Sequence, residues 1–507
     1  MIRFVILLAL AVPFPSAFAF QSPPDAITEA RTALSAASYA KAAELYSAVI
    51  AKEPANAQAY YGVVRALLGA RRAAEAYPYA EQALQRCPQT VEAEDAAGLA
   101  MFRKGDLASA ETHFRAALKL HVNDPNALLG MASIYSVVSK NKTARTFAMK
   151  AYGQDPNDPQ LMLARANTLK GPEHIQALQR VLALLDSSSE DAKDLAAHLS
   201  LDQATAGREL RRLATPYQAA QVKLFRIMDG PGKWRGVGLR VQFNQKQTVR
   251  LLLDTGASGI SLAPKVAEKA GLQVLGGEGR DAKGIGDDKA GIAFEYLAAE
   301  VRIGDVAFAD YPVAVFRGAQ SPDTDGLIGA DVFRRFIVGI DLPGLELSLE
   351  QRPGEAAESP DEPVDSSDAM PPGFVRVYRF GNHLALPTSV NGDRAMIFLV
   401  DTGSSANLID AATARQSSFL YNDGRTVVKG VQGGVSDVSR ARRISLVFAG
   451  FRQDNPDVIA INLEKMSNDF GVGFSGILGM PVLGQMKLTI DYREGRIRME
   501  PRPVPLH

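Results

Sequence analysis

"LLLDTGASGI" occupies residues 251–260, and "FLVDTGSSANLI" occupies residues 398–409. Each is a short apolar run that stops abruptly in Asp-Thr-Gly. Short runs rich in aliphatic residues and bounded by turn residues read as buried β-strands. An acid placed at the end of such a strand is held by everything packed around it. The chain makes this arrangement twice.

The surroundings of the two turns also repeat. "GLRVQFNQKQTVRLLLDTGASGISL" parallels "LALPTSVNGDRAMIFLVDTGSSANLI": strand, polar turn, strand, Asp-Thr-Gly. Gly-rich stretches follow, "AKGIGDDKAGIAF" and "VKGVQGGVSDVSR". Then "DGLIGADVFRRF" answers "SGILGMPVLGQM", and "VGIDLPGLELSLE" answers "LTIDYREGRIRME". Asp254 and Asp401 are 147 residues apart, while Gly326 and Gly476, and Asp341 and Asp491, are 150 apart. Asp341 and Asp491 recur in step near strand ends, where turn-forming Asp is common, and are read as structural.

Two Asp-Thr-Gly turns, each followed at similar distance by Leu327-Ile328-Gly329 or Ile477-Leu478-Gly479, resemble the pepsin/retropepsin type of aspartic protease. The resemblance covers about residues 220 to 502. Each half is short, closer to a retroviral protease subunit than to a pepsin lobe. It implies an all-β bilobal domain of two pseudo-symmetric lobes, each a small closed barrel. It also implies Asp254 and Asp401 as catalytic residues and no metal or other cofactor. Thr255 and Thr402 would bond across the lobe interface, Gly256 and Gly403 would permit close approach, and the apolar-apolar-Gly elements would support the turns. Gly284, Ile285 and Gly286, with Gly430, Gly433 and Gly434, fit paired flaps that close over substrate. Ser404 follows the second turn where Ala257 follows the first. In the family a Ser here can bond its aspartate, so Asp401 is expected to be the more readily ionised.

Upstream the texture is helical. Alanines stand at 42, 76, 110 and 144, in steps of 34 residues. Tyr46, Ala80, Phe114 and Ala148 follow in step, then Val49, Ala83, Ala117 and Ala151. Ala30, Val64, Gly98 and Ala132 keep the same period, and Pro54, Pro88 and Pro156 close three of the four units. Spacings of four and three put these residues on one helical face. The pattern resembles the tetratricopeptide repeat, a solenoid of helical hairpins whose grooves often bind peptides or proteins.

The expected organisation is a signal peptide at 1–19, helical repeats at 25–186, a linker with a helix at 187–217, a first lobe at 218–352, an acidic Pro/Ser linker at 353–372 and a second lobe at 373–502. The signal reading rests on Arg3, the run Phe4 to Val12 and an Ala17-Phe18-Ala19 cleavage pattern, which is too short to span a membrane. Export into a bacterial periplasm or outside the cell is expected, with no stable membrane anchor after cleavage. The single cysteine, Cys87, leaves no internal disulfide and reads as a small buried residue.

Lys+Arg and Asp+Glu are equal at 56 each, which argues against nucleic-acid binding by bulk charge. No H-E-x-x-H, Cys/His cluster or Walker pattern is present, and "GASG" and "GFSG" miss the spacing of a nucleophile elbow. His113, His121, His174, His198, His383 and His507 are scattered and read as surface or packing residues. Two functions stay open. One is an exported aspartic endopeptidase acting on peptide or protein substrates, with a repeat domain that binds protein or peptide. The other is a non-catalytic peptide-binding scaffold with the same fold. The site forms within one chain or between two.

Overall fold

A computed structural model describes residues 25–228, 234–276, 279–281, 284–286, 291–316, 324–352, 365–430 and 433–502. The signal segment and most of the acidic linker lie outside them.

Among the described residues, eleven helices come first: α1 (Ala26–Ser35), α2 (Tyr39–Lys52), α3 (Ala57–Gly69), α4 (Ala73–Arg86), α5 (Val91–Arg103), α6 (Leu107–Leu120), α7 (Pro125–Val137), α8 (Asn141–Gln154), α9 (Pro159–Ala166), α10 (Gly171–Leu182) and α11 (Glu190–Ala204). The starts of α2, α4, α6 and α8 are 34 residues apart, as are those of α3, α5, α7 and α9. The alanines at 42, 76, 110 and 144 are all buried, and so are Tyr46, Ala80, Phe114 and Ala148. Small side chains let the paired helices approach, and each pair buries its remaining face on the next. The helices before Pro54, Pro88 and Pro156 end two residues earlier, as a residue lacking N–H dictates. Phe114 fills the gap between α5 and α7, and Phe114→Ala would cost about 3–5 kcal/mol.

The repeat also has a conformational signature. Between the helices of successive hairpins, Ala37, Arg71, Gly105 and Ser139 all adopt left-handed φ, from 59° to 79°. Three of them carry side chains. At Gly105 a Cβ would lie 2.7 Å from the Gly473 carbonyl oxygen, so glycine is demanded there by the neighbouring lobe.

Residues 187–217 are more than a linker. Leu195 and Leu199 of α11 pack on Ala177, Leu178 and Val181 of α10. Strand Arg212–Leu213 then pairs with the first lobe, Arg212 opposite Ala309.

The β-rich part is built twice by one plan. The first lobe contains β1 (Trp234–Phe243), β2 (Gln247–Asp254), β3 (Ile260–Leu262), β4 (Ile292–Ile303), β5 (Val306–Phe316) and β6 (Gly326–Gly329). The second contains β7 (His383–Val390), β8 (Met396–Val400), β9 (Leu408–Asp410), β10 (Val438–Phe448), β11 (Phe451–Ile461) and β12 (Gly476–Leu478). In the first lobe β1 pairs with β2, β2 with β6, β6 with β3, β3 with β5, and β5 with β4. The corresponding pairs recur in the second lobe, with the same parallel and antiparallel senses.

A third sheet of six strands joins the lobes, three from each half. Its order is Phe374–Arg376, Arg496–Pro501, Met486–Asp491, Ile337–Asp341, Glu346–Glu350 and Ala220–Lys223. At its centre Val338 faces Ile490 while Ile340 faces Leu488, and Gly339 faces Thr489 between them. Exchanging the two halves reproduces this register, so a pseudo-two-fold axis passes through the Gly339–Thr489 pair. Asp341 and Asp491 take structural places here. Asp341 accepts from the Gly344 N–H at 2.8 Å, and buried Asp491 pairs with Arg352 and Arg496 at 3.3 and 3.1 Å.

The lobes share one apolar core, which includes Leu251 and Leu253 as well as Phe398 and Val400. Ile397 and Leu399, on the opposite face of β8, join a different cluster. There they meet Leu107, Phe114, Met131 and Val137 of the helical array. The array is therefore docked on the second lobe through a shared core. Polar contacts reinforce it: Gly473 N–H donates to the Arg103 carbonyl at 2.7 Å, Arg394 pairs with Asp106, and Lys140 lies 2.7 Å from Asp368. The end of the acidic linker is tied down as well, with Asp365 accepting from Thr143 N–H at 2.9 Å and its hydroxyl at 2.7 Å. No described helix is long and apolar enough to cross a membrane.

Candidate active site

Both Asp-Thr-Gly turns are held by fully paired strands. Leu327, Ile328 and Gly329 of β6 lie in parallel register beside Leu252, Leu253 and Asp254. Ile477 and Leu478 of β12 lie beside Leu399 and Val400, and the Asp401 N–H donates to the Leu478 carbonyl at 3.0 Å. The apolar-apolar-Gly elements thus flank the strands that carry the aspartates. The Gly329 N–H donates to the Gly259 carbonyl at 2.7 Å, and the Gly479 N–H to Asn407 Oδ1 at 2.9 Å.

The turns meet within one chain and are bonded reciprocally. Thr255 N–H donates to Thr402 Oγ1 at 3.1 Å, and Thr402 N–H to Thr255 Oγ1 at 3.0 Å. The Thr255 hydroxyl donates to the Val400 carbonyl and the Thr402 hydroxyl to the Leu253 carbonyl, each at 2.8 Å. Both threonines are fully buried. Each such bond contributes only about 1 kcal/mol net, but a buried group left without its partner costs about 1–3 kcal/mol. The four therefore fix the spacing of the turns more firmly than their sum suggests.

The glycines complete the geometry. A Cβ on Gly256 would lie 2.5 Å from Cγ of Asp401, and one on Gly403 would lie 2.4 Å from Oδ2 of Asp254. Each glycine therefore opens the space that the opposite carboxylate occupies. The Gly256 N–H donates to Asp254 Oδ1 at 2.8 Å. Asp401 Oδ1 accepts from Gly403 N–H at 2.8 Å and from Ser404 N–H at 3.0 Å.

Burial raises the pKa of Asp254, and it raises that of Asp401 well above the usual carboxylate value, with the Asp254 charge adding to the rise. Two acids this close hold one proton between them. The bond expected from the Ser404 hydroxyl to Asp401 is not made. That hydroxyl donates to the Ala406 carbonyl at 2.8 Å, and only the N–H of Ser404 reaches Asp401. His383 stands beside Asp254 and Asp331, and its charge lowers the Asp254 pKa. Burial lowers the pKa of His383, and its ring packs edge-on against Phe470 with centroids 4.8 Å apart.

Three supporting residues escaped the sequence reading: His383, Asp331 and Asn407. Buried Asp331 accepts from the Gly259 N–H at 2.9 Å and the Ser258 hydroxyl at 3.2 Å, and so anchors the first turn. Asn407 anchors the second. Asp331 follows Leu327-Ile328-Gly329 by two positions, but Pro481 stands at the matching place of the second half, so repetition hid it.

The Gly-rich segments come together. Lys429–Gly430 and Gly433–Gly434 pair as the arms of a hairpin, with Gly430 opposite Gly433. A Cβ on Gly430 would lie 2.2 Å from the Ile285 carbonyl oxygen, so this hairpin touches segment 284–286 of the other lobe. Lys465 donates to the Gly286 carbonyl at 3.1 Å. Among the described residues, no group of three or more His, Cys, Asp or Glu could hold a metal ion.

Residues 239–332 and 386–482 match a family model described as aspartyl protease. Both turns and both apolar-apolar-Gly elements fall inside the matched segments, which fit two fused halves. A solved thermophilic TPR protein from Thermus thermophilus matches at 16% identity over 35% of this chain and 97% of its own, with a TM-score of 0.28. The repeat assignment rests on the 34-residue recurrence of helices and left-handed turns instead. No curated protein matches the chain.

Proposed function

We propose that the chain is an aspartic endopeptidase, working through one shared-proton pair, Asp254 and Asp401, formed between its own two lobes. The observation that carries this is the reciprocal packing of the turns, in which each glycine vacates the space used by the opposite carboxylate. A scaffold that only bound peptide would have no need to hold two acids this close.

The chemistry follows from the geometry. Asp254, ionised and steadied by backbone N–H donors, takes a proton from a water that attacks the scissile carbonyl. Asp401, protonated, donates to the carbonyl oxygen, and a proton passes to the leaving nitrogen as the tetrahedral species collapses. The two acids then exchange roles. No covalent intermediate forms. We read each lobe as a small closed barrel, supported by the pairings of β4 with β1 and of β10 with β7 that return each strand path to its start. The touching Gly-rich segments are read as paired flaps. Export to the periplasm or beyond is proposed from the first nineteen residues alone.

Peptide-library hydrolysis by wild type and by Asp254→Asn and Asp401→Asn tests this. Each substitution should reduce turnover by at least about a thousandfold while the fold is kept. Unchanged turnover in either variant, or no hydrolysis by wild type across pH 3–8 with peptide still bound, would establish the scaffold reading instead.

A further inference from the structure

The two halves part from their common plan late in each lobe. Residues 317–325 lead from β5 to β6, but the longer stretch 462–475 leads from β11 to β12. The extra length carries a short helix, Glu464–Phe470. One side of it belongs to the array. Asn468 accepts from the Arg103 side chain, and its amide donates to the Arg71 carbonyl at 3.4 Å. Asp469 lies 3.7 Å from Arg71. Arg71 stands in the left-handed turn between α3 and α4, and Arg103 ends α5 just before Gly105. Two successive hairpins of the array therefore grip this helix. Its last residue, Phe470, meets His383 edge-on beside the dyad.

The other side reaches across to the first lobe. Lys465 is exposed, and its Nζ donates to the carbonyl of buried Gly286 at 3.1 Å. Gly286 has φ of 135°, a backbone shape open to glycine and strained for other residues. The neighbouring Ile285 packs with Leu463 and Met466, and with Val428 and Val435 at the foot of the second-lobe hairpin. There the Val435 N–H donates to the Val428 carbonyl at 3.0 Å. The same apolar cluster contains Leu107 and Phe114 of the array. Packing thus runs unbroken from the array, through the helix, to segment 284–286.

We propose that Lys465 latches the first-lobe flap to the second lobe, that the array fixes this latch by gripping its helix, and that Lys465 is thereby a positioning residue for hydrolysis. The inference rests on reading 284–286 as a flap. A hydrogen bond from a charged donor is among the stronger single contacts a surface offers. On so short a segment it is a large share of what holds the flap down. Opening the flap breaks this bond and withdraws Ile285 from the cluster. A flap that closes over substrate must make such contacts again in each turnover. The array then has a part in hydrolysis that requires no ligand of its own.

Hydrogen exchange in the full chain, read by mass spectrometry on fragments covering 284–286, tests the latch apart from catalysis. Lys465→Met should speed exchange there at least about tenfold, as expected for losing one charge-assisted hydrogen bond, and Lys465→Arg should restore slow exchange. The double variant Arg71→Ala, Asn468→Ala cuts the array contacts and leaves Lys465 in place. It should speed exchange at least about threefold with the fold kept by circular dichroism. In the peptide-library assay Lys465→Met should lower kcat/KM by about tenfold at unchanged Tm, and Lys465→Arg should recover most of it. Exchange unmoved by Lys465→Met, or by the double variant, overturns the proposal. So does an equal effect of Met and Arg at position 465, or faster exchange with unchanged kcat/KM. If wild type hydrolyses nothing, the exchange results still decide the latch, and it is the endopeptidase reading that falls.

Discussion

The two lobes follow one strand plan, yet their surroundings differ on almost every side of the dyad. The first turn is braced by Asp331 and overlooked by His383, a residue of the second lobe. The second turn is braced by Asn407 and, among the described residues, has no titratable neighbour of that kind. The outer face of β8 is sealed by the helical array, whereas Leu252 on β2 faces Gly236 within the β-rich part. Duplication supplied two equal acids, and their neighbours are unequal. The difference teaches that pseudo-symmetry in the backbone carries no promise of symmetry in protonation.

The comparison breaks most sharply at the glycines. Gly256→Ala and Gly403→Ala each drive a methyl into the opposite carboxylate, so both should abolish hydrolysis, a loss of at least about a hundredfold, as misplacement of reacting groups commonly costs. If only one were inactive, the reciprocal packing would not govern the site. Next in size is Gly105→Val, which strikes only the second lobe. It should loosen the array, seen as new proteolytic cleavage or faster hydrogen exchange in α6, while Ala37→Gly at the equivalent turn changes little. Equal effects of the two would mean that the contact with Gly473 is incidental.

Protonation offers finer tests. The raised pKa of Asp401 means that the folded state holds a proton the unfolded chain releases. Its contribution to stability is present below the ordinary carboxylate value and is lost as pH rises through the folded value. Asp401→Asn, which cannot ionise, should therefore raise Tm at pH 7 by about 2–4 °C while abolishing activity. A lower Tm would show that the pair is not under charge strain. His383→Gln should move the acidic limb of the pH–rate profile upward, because the imidazole favours ionised Asp254. Ser404→Ala should leave that limb where it is, since the hydroxyl serves Ala406. A shift with Ser404→Ala and none with His383→Gln would reverse the assignment.

Much of this was legible in the residues. The turns announced themselves because the same three residues occur twice, each at the end of an apolar strand. The array was legible because helix contact demands small side chains at a fixed period. The docking of array on lobe was not. Ile397 and Leu399 read as plain strand residues, and nothing in an apolar run says which face meets a second domain. His383 was hidden for a related reason. It lies 18 positions before Asp401 in the chain, yet it serves Asp254. Ser404 misled because its backbone, rather than its hydroxyl, does the bonding.

The central sheet sets a clock on biogenesis. Strand Ile337–Asp341 pairs on one side with Glu346–Glu350, but its other neighbour, Met486–Asp491, emerges about 150 residues later. A chain that leaves a ribosome at about 5–20 residues per second keeps that edge open for roughly 8–30 s. During that interval Val338 and Ile340 sit on a strand ready to pair with any other extended chain. Crowded nascent chains of this protein are thus most exposed to wrong partners after the first lobe has folded and before the last thirty residues arrive.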